Sequence, residues 1–228
     1  MTKVVLSIGG SVLVPGKDDS RYLSDLARML SKLSDKHKLF IVTGGGRISR
    51  YYIGTGRELG MPEDRLDELG IQATRLNARL LAGALMGISN SIPPETVEGA
   101  ASIEPMHKVV VMGGTSPGWT TDFVAALLAQ TVGAKRLVNA TSVDGIYTAD
   151  PKRNKKAKRL DRVTYERLIE LSGEGHEKAG PTIVFDPVAA RLVAKMKIPL
   201  FVVDGRDLEA LENSIEGRPF RGTRVEEG

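Results

Sequence analysis

The stretch VVLSIGGSVLV, residues 4–14, indicates the fold class. It begins with an apolar run of strand-forming residues and passes through a glycine pair into a second apolar segment. The stretches LFIVTGGGRIS, residues 39–49, and VVVMGGTSPGWTTD, residues 109–122, also place a glycine-rich turn after an apolar strand. Backbone N–H groups in such turns approach an anion closely, and a following helix adds positive potential. Three such turns at the strand ends of one sheet predict a site for two phosphorylated ligands.

Short β-branched runs alternate with segments of helical periodicity, which predicts an α/β fold with a parallel sheet covered by helices. Strands are predicted at residues 4–8, 39–43, 109–111, 136–140 and 198–203. Helices are predicted at residues 20–33, 48–59, 63–86, 121–131, 164–172, 187–197 and 207–214. The strand at 109–111 is expected in the centre of the sheet and the C-terminal residues at its edge. The proline-rich stretch 88–105 is expected to be irregular, with a short strand and a turn.

The composition excludes several classes of protein. With 228 residues, of which 41% are hydrophobic and 26% charged, the chain can bury the core of an α/β domain, so disordered and fibrous classes do not fit. No apolar run approaches the roughly 18 residues that cross a bilayer, so we expect no membrane association and a cytoplasmic location. The chain has no cysteine, and its three histidines share no ligand spacing. Any metal is therefore expected to have oxygen ligands, as Mg²⁺ does.

The net charge of +4 and the pI near 9.3 suit an acidic partner, either a nucleic acid or a small phosphorylated substrate. Much of the excess charge lies in PKRNKKAKRL, residues 151–160, which has no aromatic residue to stack on bases. We expect this segment to be a solvated surface loop. The alternative that part of it contacts a nucleotide phosphate stays open, and a nucleic-acid site fits it least.

The standard nucleotide motifs GxxxxGK[ST] and GxGxxG are not present, so the phosphate chemistry must belong to another fold. Six blocks in their order and spacing resemble the amino acid kinase superfamily and, within it, the archaeal-type uridylate (UMP) kinases. These blocks are IGGSVLVPG (8–16), VTGGGRISRYYI (42–53), LGIQATRLNA (69–78), MGGTSPGWTTDFVAALLA (112–129), TSVDGIYTADP (141–151) and DPVAA (186–190).

This resemblance implies a three-layer αβα sandwich with a central, mostly parallel, twisted sheet. It implies one domain, residues 1–228, with an acceptor (UMP) lobe at 1–135 and an ATP lobe at 136–228. The implied reaction is direct in-line transfer of the γ-phosphoryl group of ATP to UMP, which gives UDP and ADP for pyrimidine nucleotide synthesis. Mg²⁺ would bridge the phosphates and be held mainly by phosphates and water, and the implied assembly is a homohexamer built as a trimer of dimers.

The resemblance also implies which residues bind ATP: Gly9, Gly10, Ser11, Gly46, Arg50, Thr141, Tyr147 and Asp150. A guanidinium one helical turn beyond the triple glycine suits a bidentate phosphate contact, which supports Arg50 independently. A solvent-exposed helical arginine is the alternative for that residue. For Tyr147 the alternative is an aromatic ring that packs on the core.

The implied UMP site consists of Gly45, Asp67, Thr115, Ser116, Pro117, Gly118, Trp119, Thr120 and Thr121. Asp67 would bind the ribose, because an ionised carboxylate can accept hydrogen bonds from both the 2′ and the 3′ hydroxyl. A surface charge at the start of a long helix is the alternative. That helix carries an apolar stripe, consistent with a dimer interface, formed by Leu66, Leu69, Ala73, Leu76 and Leu80.

Asp122 and Arg50 are the implied catalytic residues. Asp122 matches the aspartate that orients the groups around the transferring phosphoryl, and a capping or helix-dipole role is its alternative. One position departs from the superfamily, because many members have lysine where this chain has Ser7. Another cation must then carry the charge, or the metal bears more of it. The candidate cations are Arg47, Arg50, Lys152 and Lys155.

Two other functions stay open. A kinase for another small molecule, such as isopentenyl phosphate or acetylglutamate, is disfavoured because Asp67 and the loop TSPGWTTD suit a ribonucleotide. A non-catalytic nucleotide-sensing module is disfavoured by the complete set of glycine turns together with Asp122.

Overall fold

A computed structural model of the chain describes residues 1–149, 154–173 and 185–228. The strands in these ranges are β1 (Thr2–Ile8), β2 (His37–Thr43), β3 (Val109–Met112), β4 (Arg136–Thr141), β5 (Ile146–Tyr147), β6 (Arg159–Leu160), β7 (Arg162–Val163), β8 (Leu200–Asp204) and β9 (Thr223–Val225). The helices are α1 (Gly10–Leu13), α2 (Asp19–Leu33), α3 (Gly46–Glu58), α4 (Glu63–Ala84), α5 (Val97–Ser102), α6 (Thr121–Val132), α7 (Tyr165–Ser172), α8 (Pro187–Met196) and α9 (Leu208–Glu216).

Seven of the strands form one sheet in the order β3-β2-β1-β4-β8-β9-β7, while β5 and β6 form a separate antiparallel pair. The five strands from β3 to β8 are parallel, β9 runs antiparallel to β8, and β7 runs parallel to β9. The sheet is therefore mostly parallel, as predicted. Because β1, β2, β3 and β4 share one direction, their carboxyl ends and the three glycine turns lie along the same edge of the sheet.

Side chains alternate between the two faces of β1, which is buried on both. Val4, Leu6 and Ile8 pack with α1, α2, α4 and α9 in one core cluster. Val5 packs with α5, α6, α7 and α8 in a second cluster on the opposite face. Helices thus cover both faces, and the predicted three-layer αβα sandwich is confirmed. Strands from both halves of the chain share the sheet, and the division into an acceptor lobe and an ATP lobe stays a prediction.

Two strand positions differ from the prediction. The strand at 109–111 lies at the edge of the sheet and not in its centre, although β3 is fully buried. Its outer side is covered by the preceding segment, in which Ser89 bridges Val109. The C-terminal strand β9 lies inside the sheet and not at its edge, because β7 pairs with it on the far side. A two-residue strand such as β7 is too short to give a periodic signal in sequence.

The stretch 88–105 also differs from the prediction. Its extended part is limited to the bridge at Ser89, and the remainder contains α5 and the 3₁₀ turn Glu104–Met106. The Thr96 hydroxyl accepts a hydrogen bond from the N–H of Gly99 at 3.0 Å, which fixes the first turn of α5. Helix capping therefore organises a segment in which the prolines indicated irregular structure.

The predicted apolar stripe of α4 is only partly buried. Leu66 and Ala73 face the core, whereas Leu76 and Leu80 are 56% and 49% exposed. Polar residues, Thr74 and Asn77, occupy buried positions of the same helix. The inward face of α4 is therefore partly polar, and two of the leucines lie outside it. Although α4 has 22 residues, no helix in the described ranges is both long and apolar enough to cross a membrane.

Candidate active site

The first and second glycine turns touch each other through their backbones. Gly10 follows β1, and Gly44 to Gly46 follow β2. A Cβ atom on Gly10 would lie 2.4 Å from the carbonyl oxygen of Gly44 and 2.4 Å from the nitrogen of Gly46. Gly46 itself has a φ of +63°, in the left-handed region that favours glycine. The backbones of the two turns therefore pack directly against each other, and neither Gly10 nor Gly46 could be replaced by a residue with a side chain without displacing the other turn.

Buried polar side chains of α4 hold the second and third turns. Asn77 donates a hydrogen bond from Nδ2 to the carbonyl of Gly44 at 2.7 Å. The Thr74 hydroxyl accepts from the N–H of Gly114 at 2.6 Å and donates to the carbonyl of Ile71 at 2.6 Å. One helix thus sets the spacing of two turns. Sequence reasoning missed both side chains, and the only signal was their polarity within the buried side of the helix.

Arg50 reaches the first turn from α3. Its Nη2 donates to the hydroxyl of Ser11 at 3.0 Å, and the residue is exposed. Arg47, one turn earlier, donates to the carbonyl of Pro15 at 2.7 Å. The structure therefore brings the predicted phosphate residues Gly9, Gly10, Ser11, Gly46 and Arg50 together. Of the candidate cations that would replace the usual lysine, Arg50 is hydrogen-bonded to this turn.

The predicted adenosine residues lie at the end of β4, where Thr141 is the last residue, and in the segment that follows it. The Gly9 N–H donates to the carbonyl of Ala140 at 3.0 Å, so Thr141 follows directly after a contact with the first turn. The half-buried Tyr147 donates its hydroxyl to Asp144 at 2.5 Å. Its ring is therefore held by the hairpin that carries it. Asp150 and the candidate cation Lys152 lie outside the described residues.

Asp144 is the centre of an ion-pair cluster beneath Tyr147. Arg159 and Arg221 approach the same carboxylate oxygen at 3.1 and 3.0 Å. Burial raises the pKa of Asp144, but hydrogen bonds from Tyr147 and Arg221 and the charge of Arg159 outweigh burial and hold this pKa below its ordinary value. The cluster joins the hairpin of β5 and β6 to the C-terminal segment.

A cavity of about 540 Å³ lies between α3, α4 and the third turn. Seven of the nine residues predicted for UMP line it: Gly45, Asp67, Ser116, Gly118, Trp119, Thr120 and Thr121. Thr115 and Pro117 belong to the same loop but do not line the cavity. Sequence reasoning missed further lining residues, which are Ser49, Ile53, Gly70, Ile71, Thr74 and Gly114.

Asp67 links α4 to the third turn. Its Oδ2 accepts a hydrogen bond from the N–H of Gly118 at 2.7 Å. Within the described part of the chain, Oδ1 accepts no hydrogen bond, and the half-buried side chain lines the cavity. One oxygen therefore organises the loop, and the other is available to a ligand.

Asp122 lies in the first turn of α6 and is half-buried. The N-cap is Thr120, whose hydroxyl accepts from the N–H of Phe123 at 3.1 Å, so Asp122 is not the capping residue. Its Oδ1 accepts a hydrogen bond from the hydroxyl of Ser7 at 3.0 Å. Burial raises the pKa of Asp122 to about 6. The hydrogen bond from the Ser7 hydroxyl opposes this rise, the charge of Asp186 adds to it, and a backbone hydrogen bond from Asp186 opposes it. Carboxylates with a shifted pKa are found more often at functional sites than elsewhere in proteins.

Magnesium carried by phosphates fits the side chains that the structure describes. Among residues 1–149, 154–173 and 185–228, no three His, Asp or Glu side chains are grouped closely enough to hold a metal ion. Mg²⁺ commonly keeps several waters and binds through substrate phosphates. The glycine turns could offer N–H donors to such phosphates, and coordination of Mg²⁺ by phosphate oxygens and water stays a prediction.

Known proteins share both the sequence and the fold of this chain. The sequence pattern of the amino acid kinase family matches residues 2–204. The chain belongs to the amino acid kinase family. A uridylate kinase of Methanocorpusculum labreanum is 46% identical over 226 residues, covering 99% of this chain and 96% of the relative. One from Thermoplasma volcanium is 44% identical over 224 residues, covering 98% and 97%.

A solved protein structure has the same architecture. The crystal structure of a uridylate kinase from Archaeoglobus fulgidus matches with a TM-score of 0.89 at 38% identity, covering 98% of this chain and 100% of the other. The predicted resemblance and fold class are therefore confirmed. The roles of individual site residues stay predictions.

Proposed function

We propose that this member of the amino acid kinase family transfers the γ-phosphoryl group of ATP to UMP, giving ADP and UDP. The observation that carries the proposal is the position of the triple glycine. Gly46 touches the first turn, whereas Gly45 lines the acceptor cavity. Phosphates bound on the two sides would therefore meet at this turn. The relatives named uridylate kinase, which match nearly the full chain, support UMP as the acceptor.

The geometry suits direct in-line transfer without a covalent intermediate. Backbone N–H groups of the glycine turns are fixed donors for phosphate oxygens, and Arg50 adds a positive charge beside the first turn. Asp122 lies at the start of α6, where it would orient the groups around the transferring phosphoryl. Mg²⁺ bound to the phosphates would neutralise part of their charge. Catalysis here consists mainly of positioning and electrostatic stabilisation.

An ADP-release assay with UMP, CMP, deoxy-UMP and isopentenyl phosphate as acceptors tests the proposal. We expect UMP to give the highest kcat/KM. Turnover of isopentenyl phosphate but not of UMP would indicate a kinase for another small molecule. If the protein binds ATP but releases no ADP with any of the acceptors, it would be a nucleotide-sensing module.

Asp67 is expected to make the enzyme discriminate against deoxy-UMP. With deoxy-UMP bound, the half-buried carboxylate would lose a hydroxyl partner, and this loss should lower kcat/KM by about 10- to 100-fold. Asp67→Asn keeps an acceptor for Gly118 but loses the charge, so UMP turnover should fall and the preference over deoxy-UMP should shrink. The measurement is kcat/KM for both nucleotides.

Asp64→Asn is the matched control, because Asp64 is an exposed acid one turn earlier in α4. It should leave both kcat/KM values as in the unmodified chain. Equal turnover of UMP and deoxy-UMP by the unmodified chain would remove Asp67 from ribose recognition.

We also propose a homo-oligomer, with the hexamer built from dimers as the expected form. Leu76 and Leu80 lie one turn apart on α4 and expose 56% and 49% of their surface. Exposed apolar neighbours of this kind mark protein interfaces. Replacing both with glutamate should lower the mass measured by light scattering.

Met106→Glu changes another exposed apolar residue, which lies on the 3₁₀ turn and not on α4, and should keep the mass of the unmodified protein. If the unmodified protein is already monomeric, or if the double variant keeps the full mass, the proposed interface on α4 is wrong.

A further inference from the structure

Ser7 is a buried polar residue in the central strand of the sheet. It is 3% exposed, and its neighbours in register are Val42 on β2 and Asn139 on β4. Strand pairing on both sides fixes its backbone, and the first glycine turn begins two residues later. Ser7 thus occupies one of the most rigid positions next to the site.

The Ser7 hydroxyl makes its hydrogen bond across layers and not within the strand. It donates to Oδ1 of Asp122 at 3.0 Å, joining β1 to the first turn of α6. The acceptor is a carboxylate, and a hydrogen bond to an ionised acceptor is stronger than one between neutral groups. The side chain of Asp122 is thereby restrained by a buried hydroxyl on a strand that is paired on both sides.

We propose that Ser7 is a positioning residue for phosphoryl transfer, and that its hydroxyl fixes the Asp122 carboxylate in the orientation that the reaction needs. The inference rests on the proposed function. A lysine, which many superfamily members have at this position, would act on the phosphate directly. A serine bears no charge and acts through Asp122, so this chain uses the position differently.

Comparison of Ser7→Ala and Ser7→Thr with the unmodified full chain tests the inference. Ser7→Ala should lower kcat about tenfold while the KM values for ATP and UMP stay unchanged, because orientation is lost and binding is not. Ser7→Thr keeps the hydroxyl and should recover most of the loss. Ser214→Ala, which removes a buried hydroxyl that donates to Leu211 in α9, is the control and should keep full activity.

The pH profile supplies a readout that loss of packing alone would not move. Burial and the charge of Asp186, at the start of α8, raise the pKa of Asp122. The hydrogen bond from Ser7 stabilises the charged form and therefore lowers this pKa. In Ser7→Ala the acid limb of the kcat profile should therefore shift to higher pH. Carbon-13 NMR titration of the Asp122 carboxyl should show the same upward shift without any turnover.

The outcomes separate the two proposals. If the unmodified chain does not phosphorylate UMP, the proposed function fails, and the NMR titration still decides whether Ser7 controls Asp122. An Asp122 titration that is identical in the unmodified chain and Ser7→Ala overturns the inference. So does a kcat loss in Ser7→Thr that equals that of Ser7→Ala, because the hydroxyl is then not the cause.

Discussion

Replacement of Asp122 by asparagine is expected to lower kcat by about 100- to 1,000-fold and to raise the stability of the folded chain at pH 7.5. Asparagine can still accept the hydrogen bond from Ser7, but it lacks the negative charge. Burial raises the pKa of Asp122 to about 6, so the charged carboxylate is costly in the folded state. Removing that charge should increase the free energy of unfolding by about 1–2 kcal/mol, after allowance for partial exposure.

The stability gain should depend on pH in a defined direction. The folded-state pKa of Asp122 lies above the unfolded value, so the folded chain binds this proton more tightly. The unmodified chain therefore loses stability as pH rises through the interval from about 4 to about 6. Above that interval Asp122→Asn should show its full advantage, and near pH 4 the advantage should vanish.

Denaturant unfolding of both proteins at pH 4.5, 6 and 7.5 measures this dependence. Asp64→Asn removes an exposed acid from the first turn of α4 and should cost a few tenths of a kcal/mol through the helix dipole, without any gain at neutral pH. An Asp122→Asn protein that keeps normal kcat would contradict the catalytic role. If Asp122→Asn is less stable than the unmodified chain at every pH, the predicted destabilisation by the buried charge is wrong.

Gly10→Ala is expected to disrupt the site and the fold together. Its Cβ would lie 2.4 Å from backbone atoms of Gly44 and Gly46, and no flexible side chain is present there to yield. Overpacking against fixed atoms costs about 1–3 kcal/mol, sometimes more. Because both turns must shift to accommodate the methyl group, ATP binding should be lost as well. Urea unfolding and calorimetric titration with ATP measure the two effects.

Gly83→Ala is the matched control. Gly83 lies within α4, and a Cβ there would meet no atom within 4 Å. The substitution should raise stability by up to about 1 kcal/mol, because alanine favours the helix, and should leave ATP affinity unchanged. If Gly10→Ala binds ATP normally and unfolds at the same urea concentration as the unmodified chain, the two turns do not depend on each other.

The sequence predicted the parts of the site that have local signals. Glycine turns after apolar strands are visible along the chain, and so are the starts of the helices predicted at 164–172 and 187–197. In the structure Thr164 and Asp186 cap these helices, and each accepts a hydrogen bond from the helix that follows it. The resemblance to known kinases also predicted Asp67 as a site residue, and the structure places it in the lining of the cavity. The hydrogen bond that Asp67 accepts from Gly118 was not predicted, because that contact joins residues 51 positions apart.

Other features depend on packing between distant segments, which no local pattern encodes. Thr74 and Asn77 are polar residues on a buried helix face, and only the fold shows that glycine turns need them there. The order of strands along the sheet is likewise not set by their order in sequence, which is why β3 was misplaced. The sequence alone also does not show which part of the apolar stripe of α4 is exposed, because only packing leaves Leu76 and Leu80 outside the face that contacts the core.

The backbone contact between Gly10 and the turn from Gly44 to Gly46 also limits how this protein can evolve. Glycine is already the smallest residue, so a side chain gained in one loop cannot be offset by a smaller one in the other. At most packed positions, a substitution that enlarges one side chain can be compensated by one that shortens its neighbour. Such compensating pairs are not possible in these loops. Variation that alters nucleotide choice must therefore accumulate around them, in the side chains of α3, α4 and the third turn.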